Sequence, residues 1–312
     1  ISLFNNAKFK KITFLYSFIT AILGFTPNKH EGKVTGLAGF NQRNKEVIDL
    51  IENLYDQEYE LAENLLHWKN KYKEDLIPKI ESDYQILEYF KKKFETFSKY
   101  EIAYATQKFC EYKILKIIKY ISTEYPNENL ILSGGLFSNV KLNQKIGEKV
   151  SNNLFVTPAM TDDGTAVGSA YKSYSIENGF SVQKYNSSIF LGFDDYQDIE
   201  SINEKAKKHN LEVVKLDNSS YDIANYLAEN KICAIFNSRS EFGPRALGNR
   251  SILASTKNAS ITEKLNLKLK RNDFMPFAPV ILEEFSDKYF RIKKNIRVNL
   301  NYMTITVKCK RK

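Results

Sequence analysis

An α/β fold is the prediction for this 312-residue sequence, and three observations make it. Residues 41–120 are rich in apolar positions at helical spacing. Short apolar runs of strand length then lead into the glycine turns Ser133-Gly134-Gly135 and Thr161-Asp162-Asp163-Gly164, and beyond residue 188 helix-patterned and strand-patterned segments alternate. Alternation of that kind is the mark of α/β architecture. At 43% apolar and 27% charged, the chain has the balance of an ordinary globular protein, and its length suits one large or two medium domains.

The first helix is predicted at Ile12–Phe25. Lys10-Lys11 before it gives the look of a targeting segment, but Thr13, Tyr16, Ser17 and Thr20 interrupt the run and no small-residue cleavage site follows. It is also shorter than the ~18 residues of a membrane span, so a buried helix ended by Gly24 and Pro27 is expected. A second helix follows at Glu46–Leu66, with Val47, Ile48, Leu50, Ile51, Leu54, Leu61 and Leu65 at helical spacing. Asn70–Asp83 is charged and reads as a connector. A long amphipathic helix at Ile102–Ile121 carries Cys110, Ile114, Leu115, Ile117 and Ile118 near one face.

Leu130–Leu132 reads as a short buried strand running into the Gly134-Gly135 turn. Strand, double glycine and helix together bring backbone N–H groups and a helix N-terminus toward a phosphate. Asn139 and Asn143 lie one helical turn further on. A second strand, Leu154–Val156, leads through Pro158 to Asp162-Asp163-Gly164, and the helix Thr165–Tyr174 carries Ala166, Gly168, Ser169 and Ala170, which permit close packing. Residues 176–188 are polar and read as a linker. The next unit starts at Ile189–Gly192. Helix Ile199–His209, strand Glu212–Leu216, helix Tyr221–Asn230 and a buried strand Ile232–Phe236 are expected there. The chain starts at Ile1 and stops in an apparent strand, Tyr302–Val307, which predicts truncation at both ends.

A formal net charge of +9 invites a nucleic-acid reading, but the lysines are scattered among acidic residues with no long basic block, so a solvated surface is expected instead. The three cysteines, Cys110, Cys233 and Cys309, form no C-x-x-C pair and indicate neither a zinc site nor a disulfide framework. Cys233 is expected as a small buried thiol, and the set suits a reducing cytoplasm. No span crosses a membrane in this reading.

Chemistry concentrates in residues 238–254, where Arg239, Arg245 and Arg250 are interrupted by Gly243-Pro244 and Gly248-Asn249. Gly-Pro and Gly-Asn form turns, so the segment is a loop. Guanidinium forks match phosphate oxygens, and glycines admit backbone N–H groups to close range. Lys270 and Arg271 offer a second basic wall, Asn249 and Ser251 neutral donors, and Glu241 a carboxylate to orient an arginine by a bidentate pair. No Walker loop is present. Asp162 and Asp163, ahead of a helix, read either as a cap or as ligands.

The loop resembles the signature GRSEFGPRALGNRSIL of the NodU/CmcH-type O-carbamoyltransferases. The resemblance extends to Glu31–Ala38, Ser133–Asn139, Thr161–Gly168, and Leu265-Asn266 with Lys270–Pro279, blocks in the family's order over most of the chain. It implies the C-terminal half of an actin/Hsp70-like (ASKHA) domain over 1–180, a linker at 181–188 and a YrdC-like domain over 189–312. It further implies that carbamoyl phosphate and ATP form carbamoyl-adenylate at Arg239, Arg245 and Arg250. Gly134, Gly135 and Asn139 would hold the adenylate, with Lys270, Arg271 and Ser251 also binding, and the carbamoyl group would pass to a hydroxyl of a small molecule or glycan. Asp162 matches the family's aspartate ligand to a divalent metal, iron or magnesium. The family's H-x-x-x-H pair has no counterpart, because His30, His67 and His209 are far apart, so those ligands are expected upstream of Ile1. Ser238 stands where the signature has glycine, and Met275 where many antibiotic-tailoring relatives have arginine, which leaves the acceptor open. Competing readings are a tRNA threonylcarbamoylation enzyme, an ASKHA-type sugar or acetate kinase, a nucleotide-binding module without turnover, and an RNA-binding surface.

Overall fold

The computed structural model describes residues 7–55, 91–150, 152–179, 188–193, 198–258, 260–271 and 275–310. The chain divides into two compact units. One comprises residues 1–130, 138–154 and 274–276, the other residues 131–137, 155–273 and 277–312.

The first unit is helical. Helices α1 (Ala7–Ile22), α2 (Glu31–Ala38), α3 (Lys99–Glu124) and α4 (Val140–Lys149) are joined by a further helical stretch at 45–55. The expected core helix is therefore present. Leu15 and Ile19 of α1 meet Val47, Ile51 and Leu54, Phe94, and Ile102, Ala105 and Phe109 of α3 in one apolar cluster. Each such leucine or isoleucine stabilises the unit by about 1.5–3 kcal/mol. Helix α3 starts where it does because Ser98 and Glu101 form a capping box: Glu101 N–H donates to Ser98 Oγ (3.2 Å) and Ser98 N–H to Glu101 Oε2 (2.9 Å). The remainder of the helix expected to Leu66, and the connector at 70–83, lie outside the described residues.

Across this core runs a chain of buried polar groups. Tyr16 donates to Gln107 Oε1 (2.9 Å) and exchanges a hydrogen bond with Thr35 Oγ1 (2.8 Å), tying α1 to α2 and α3. Asn139 Nδ2 also donates to Gln107 Oε1 (2.8 Å), and Gln107 Nε2 donates to Glu111 Oε1 (3.0 Å). Burial holds the Tyr16 phenol protonated far above its usual range. Burial, with Glu111 beside it, pushes the Cys110 thiol up to about 12, so that thiol is inert.

Among the described residues there are three two-stranded sheets. Strands β1 (Leu130–Leu132) and β2 (Leu154–Val156) form one, and the helix α5 (Asp163–Asn178) follows. Helices α6 (Ile199–Lys208) and α7 (Ser219–Ala228) lead to an antiparallel pair, β3 (Cys233–Phe236) with β4 (Arg250–Leu253), in which Phe236 faces Arg250 and Ala234 faces Ile252. Then come α8 (Ile261–Lys268), α9 (Glu283–Tyr289), β5 (Phe290–Arg291), a 3₁₀ helix at Lys294–Tyr302, and β6 (Lys308–Cys309), paired with β5.

Several expectations need correcting here. Tyr302–Val307 is not a strand. Fully buried Asn299 accepts the Val156 N–H (2.7 Å) and donates to Ile296 O (3.1 Å), fixing the 3₁₀ turn that includes Tyr302, and Thr304 N–H returns to Asn299 O. Glu212–Leu216 forms no strand and pairs with none among the described residues; alternation alone does not make a strand without a neighbouring edge. Strand β3 is half-buried rather than buried, with Phe236 64% exposed and Cys233 intermediate. Helix α5 has no buried residue among the described residues, so the close packing that its small side chains permit is not seen there. All but Ser188 of the linker expected at 181–188 lies outside the described residues. Among the described residues no helix is long and apolar enough to cross a membrane.

Gln107→Leu should destabilise the first unit by about 2–4 kcal/mol, because Tyr16 and Asn139 lose a buried acceptor and Glu111 a donor, whereas Tyr16→Phe should cost only about 1 kcal/mol. Urea unfolding of the two variants beside the wild type checks this ordering.

Candidate functional site

Within the second unit, the glycine turn, the Asp162 turn and the arginine loop meet at one backbone segment. Gly134 N–H donates to Met160 O (2.7 Å). A Cβ on Gly164 would collide with Ala159 O, and one on Gly243 would lie 3.1 Å from Pro158 O, so glycine is what lets both chains approach residues 158–160. At Gly243, φ is also +126°, a region that L side chains rarely adopt.

The loop is organised by Glu241. Its Oε1 accepts the N–H groups of Leu247 (2.6 Å), Asn249 (2.9 Å) and Arg250 (3.3 Å). Partial burial works to raise its pKa, but the bonds from Leu247, its own N–H, Asn249 and Arg250 outweigh that and hold the carboxyl below the ordinary 4.5. Its stabilising contribution is thus complete above the ordinary glutamate value and is lost only as pH falls through the depressed folded value. The bidentate pair with an arginine, expected from the sequence, is not formed among the described residues; Glu241 Oε1 receives backbone N–H groups instead.

Other loop side chains also serve the backbone. Asn249 Nδ2 donates to Arg239 O (2.7 Å), and Ser251 Oγ accepts from Gly248 N–H (2.9 Å). Both expected neutral donors therefore shape the loop. Arg250 Nη1 bonds Asn237 O (2.8 Å) and Asn249 O (3.0 Å), and its guanidinium lies 3.5 Å from the centre of the Phe236 ring. Arg245 is half-buried, and burial lowers its pKa from the usual value, although a guanidinium stays cationic throughout the working pH range. Arg239 is exposed.

The remaining candidates lie in other settings. Lys270 is exposed with φ +51° just past α8, where it acts as a left-handed helix terminator, and Arg271 sits 4.7 Å from the centre of the Phe277 ring. Neither side chain is seen bonded to the arginine loop among the described residues. Gly135 opens a 3₁₀ turn, Gly135–Ser138. Asn139, in the first unit, caps α4 by accepting Leu142 N–H (3.0 Å), and with its bonds to Gln107 both ends of its amide are engaged.

Asp162 is exposed and its carboxylate makes no capping bond. Its carbonyl instead accepts from Thr165 N–H and Oγ1, while Asp163 Oδ2 accepts from Thr161 Oγ1 (3.1 Å). Asp162 is thus available as one metal ligand. A single carboxylate does not hold a divalent ion, and among the described residues no three His, Cys, Asp or Glu side chains come together. The described residues do not by themselves fit a metal.

Two family models match the chain: carbamoyltransferase N-terminus over residues 2–171 and carbamoyltransferase C-terminus over residues 224–312. The chain belongs to the carbamoyltransferase family. Similar proteins include an uncharacterized protein of Methanocaldococcus jannaschii, 34% identical over 88% of this chain and 51% of its own length. Nodulation protein NolNO of Sinorhizobium fredii is 32% identical over 62% of this chain and 29% of its own. Nodulation protein NolO of Bradyrhizobium diazoefficiens is 31% identical over 57% and 33%. The chain spans about half the length of the uncharacterized relatives it matches along most of its own.

The family's signature glycine gains a physical reason here. Ser238, which stands at that position, has φ +40°. A side chain in that region costs about 1–2 kcal/mol. Ser238→Gly should therefore raise the stability of the chain by about 0.5–1 kcal/mol, the gain being trimmed by glycine's greater freedom when unfolded. Thermal unfolding of the two proteins measures it.

Proposed function

We propose that this chain belongs to an O-carbamoyltransferase and carries its adenylate-forming site in the arginine loop. The observation that supports it most is the loop itself: Arg239, Arg245 and Arg250 lie on one backbone segment organised by Glu241, inside the region matching the family's C-terminal model. In this reading residues 1–180 are the C-terminal half of an ASKHA-like domain, 181–188 a linker, and 189–312 a YrdC-like domain.

Carbamoyl phosphate and water give phosphate and carbamate, and the carbamate oxygen attacks the α-phosphorus of ATP, releasing pyrophosphate and leaving carbamoyl-adenylate. Both substrates are polyanions, so bringing them together in one pocket requires fixed cations. Arg245 has most to contribute, because partial burial lowers the dielectric around it and strengthens its pull on phosphate oxygens. Arg250, held by two carbonyls and the Phe236 ring, presents its fork without a large loss of side-chain freedom on binding. Arg239 is exposed and suits the outer phosphates. Ser251, Lys270 and Arg271 complete the binding set, and Gly134, Gly135 and Asn139 are assigned to holding the adenylate during transfer to a small-molecule or glycan hydroxyl. Asp162 is assigned as one ligand of the transferase metal, iron or magnesium. The cytoplasm, which supplies ATP, is the compartment this reading requires.

Arg245→Ala should lower carbamoyl-phosphate-dependent pyrophosphate release by about 10²–10³-fold while leaving the unfolding transition in place. Release from a folded Arg245→Ala protein at the wild-type rate contradicts the assignment. Asp162→Ala should leave that release unchanged and affect only carbamoyl transfer.

A further inference from the structure

A carboxylate beside an anion site is electrostatically adverse, since two like charges at close range repel. Glu241 nevertheless sits at the base of the arginine loop. Its Oε1 is committed to the N–H groups of Leu247, Asn249 and Arg250, at 2.6, 2.9 and 3.3 Å. Converging backbone donors of this kind make a nest for an anion, and here the chain fills it with its own side chain. The bond to Leu247 closes residues 241–247 into a ring that contains Arg245. The bond to Arg250 N–H fixes the residue whose guanidinium is already held by Asn237 O, Asn249 O and the Phe236 ring. On the other side of the ring, Gly243 is seated against Pro158 O. Arg245 and Arg250 therefore both depend on a single carboxylate oxygen for their backbone placement.

We propose that Glu241 is a positioning residue for polyphosphate binding. It fills the nest formed by residues 247–250, so that the loop's N–H groups are satisfied internally and the backbone that carries Arg245 and Arg250 is held in one place for those side chains to meet the external anion. Its own charge is spread over three donors and does not confront the substrate. This deepens the adenylate-forming reading, and it is testable apart from turnover.

The test uses inorganic pyrophosphate as the probe, its affinity measured by calorimetry on the full chain. Glu241→Ala should weaken binding by about 10–100-fold, Arg245→Ala by a similar factor, and the double variant by less than the product of the two, because part of what Glu241 does is done through Arg245 and the rest through Arg250. Glu241→Gln, which keeps one acceptor oxygen, should recover part of the loss. Amide exchange should show Leu247, Asn249 and Arg250 deprotected in Glu241→Ala while amides of α7 stay protected. Unchanged protection of those three amides, independent and additive losses of affinity, or no pyrophosphate binding by the wild type would each overturn the inference. Pyrophosphate binding that follows this pattern, without any carbamoyl-phosphate-dependent turnover, would uphold the role of Glu241 and sink the adenylate-forming reading instead.

Discussion

The candidate site depends on one oxygen atom meeting three amides. Without the Glu241 carboxylate, the N–H groups of Leu247, Asn249 and Arg250 lose their acceptor in a loop interrupted by Gly243-Pro244 and Gly248-Asn249. A hydrogen bond to a charged group contributes about 1.5–3 kcal/mol, so three converging on one carboxylate suffice to select a single loop geometry from many. The arginines follow from that geometry. Asn249 and Ser251 reinforce it with bonds to Arg239 O and Gly248 N–H.

The first unit is governed by a different constraint, that buried polar groups be satisfied. Gln107 is 3% exposed and bonds Tyr16, Asn139 and Glu111 at once, linking three helices through side chains that the apolar cluster does not use. This also explains why Asn139 lies where it does: it caps α4 and locks that cap to α3. An apolar core sets the stability of such a bundle, whereas a fully bonded polar chain within it sets which way the helices are rotated.

Periodicity made the helices legible. The stripe at Ile102–Ile121 and the apolar face of Ile12–Phe25 lie against the core as their spacing predicts, because helix burial follows from local pattern. Strands fared less well, since a strand exists only through its partner. Among the described residues Glu212–Leu216 has the composition and no ladder, and Tyr302 closes a 3₁₀ helix while Thr304 bonds back to Asn299. In the site, the residue types and their loop were legible, but the partners were not. Glu241 was expected to bind a guanidinium and binds backbone; Asp162 was expected as a cap or a ligand and makes no capping bond. Composition shows which groups a loop contains, whereas which donor reaches which acceptor depends on φ values such as those at Ser238 and Gly243, and the glycine expected at position 238 was the one visible signal of a left-handed turn there.

The most direct test of the central claim, that the loop around Glu241 receives the anionic substrates, is an NMR titration of the assigned chain with carbamoyl phosphate and ATP. Saturable shifts of the Arg245 and Arg250 guanidinium signals and of the amides from Gly243 to Arg250 are expected. Saturable binding that shifts residues elsewhere and leaves this loop untouched would contradict the account.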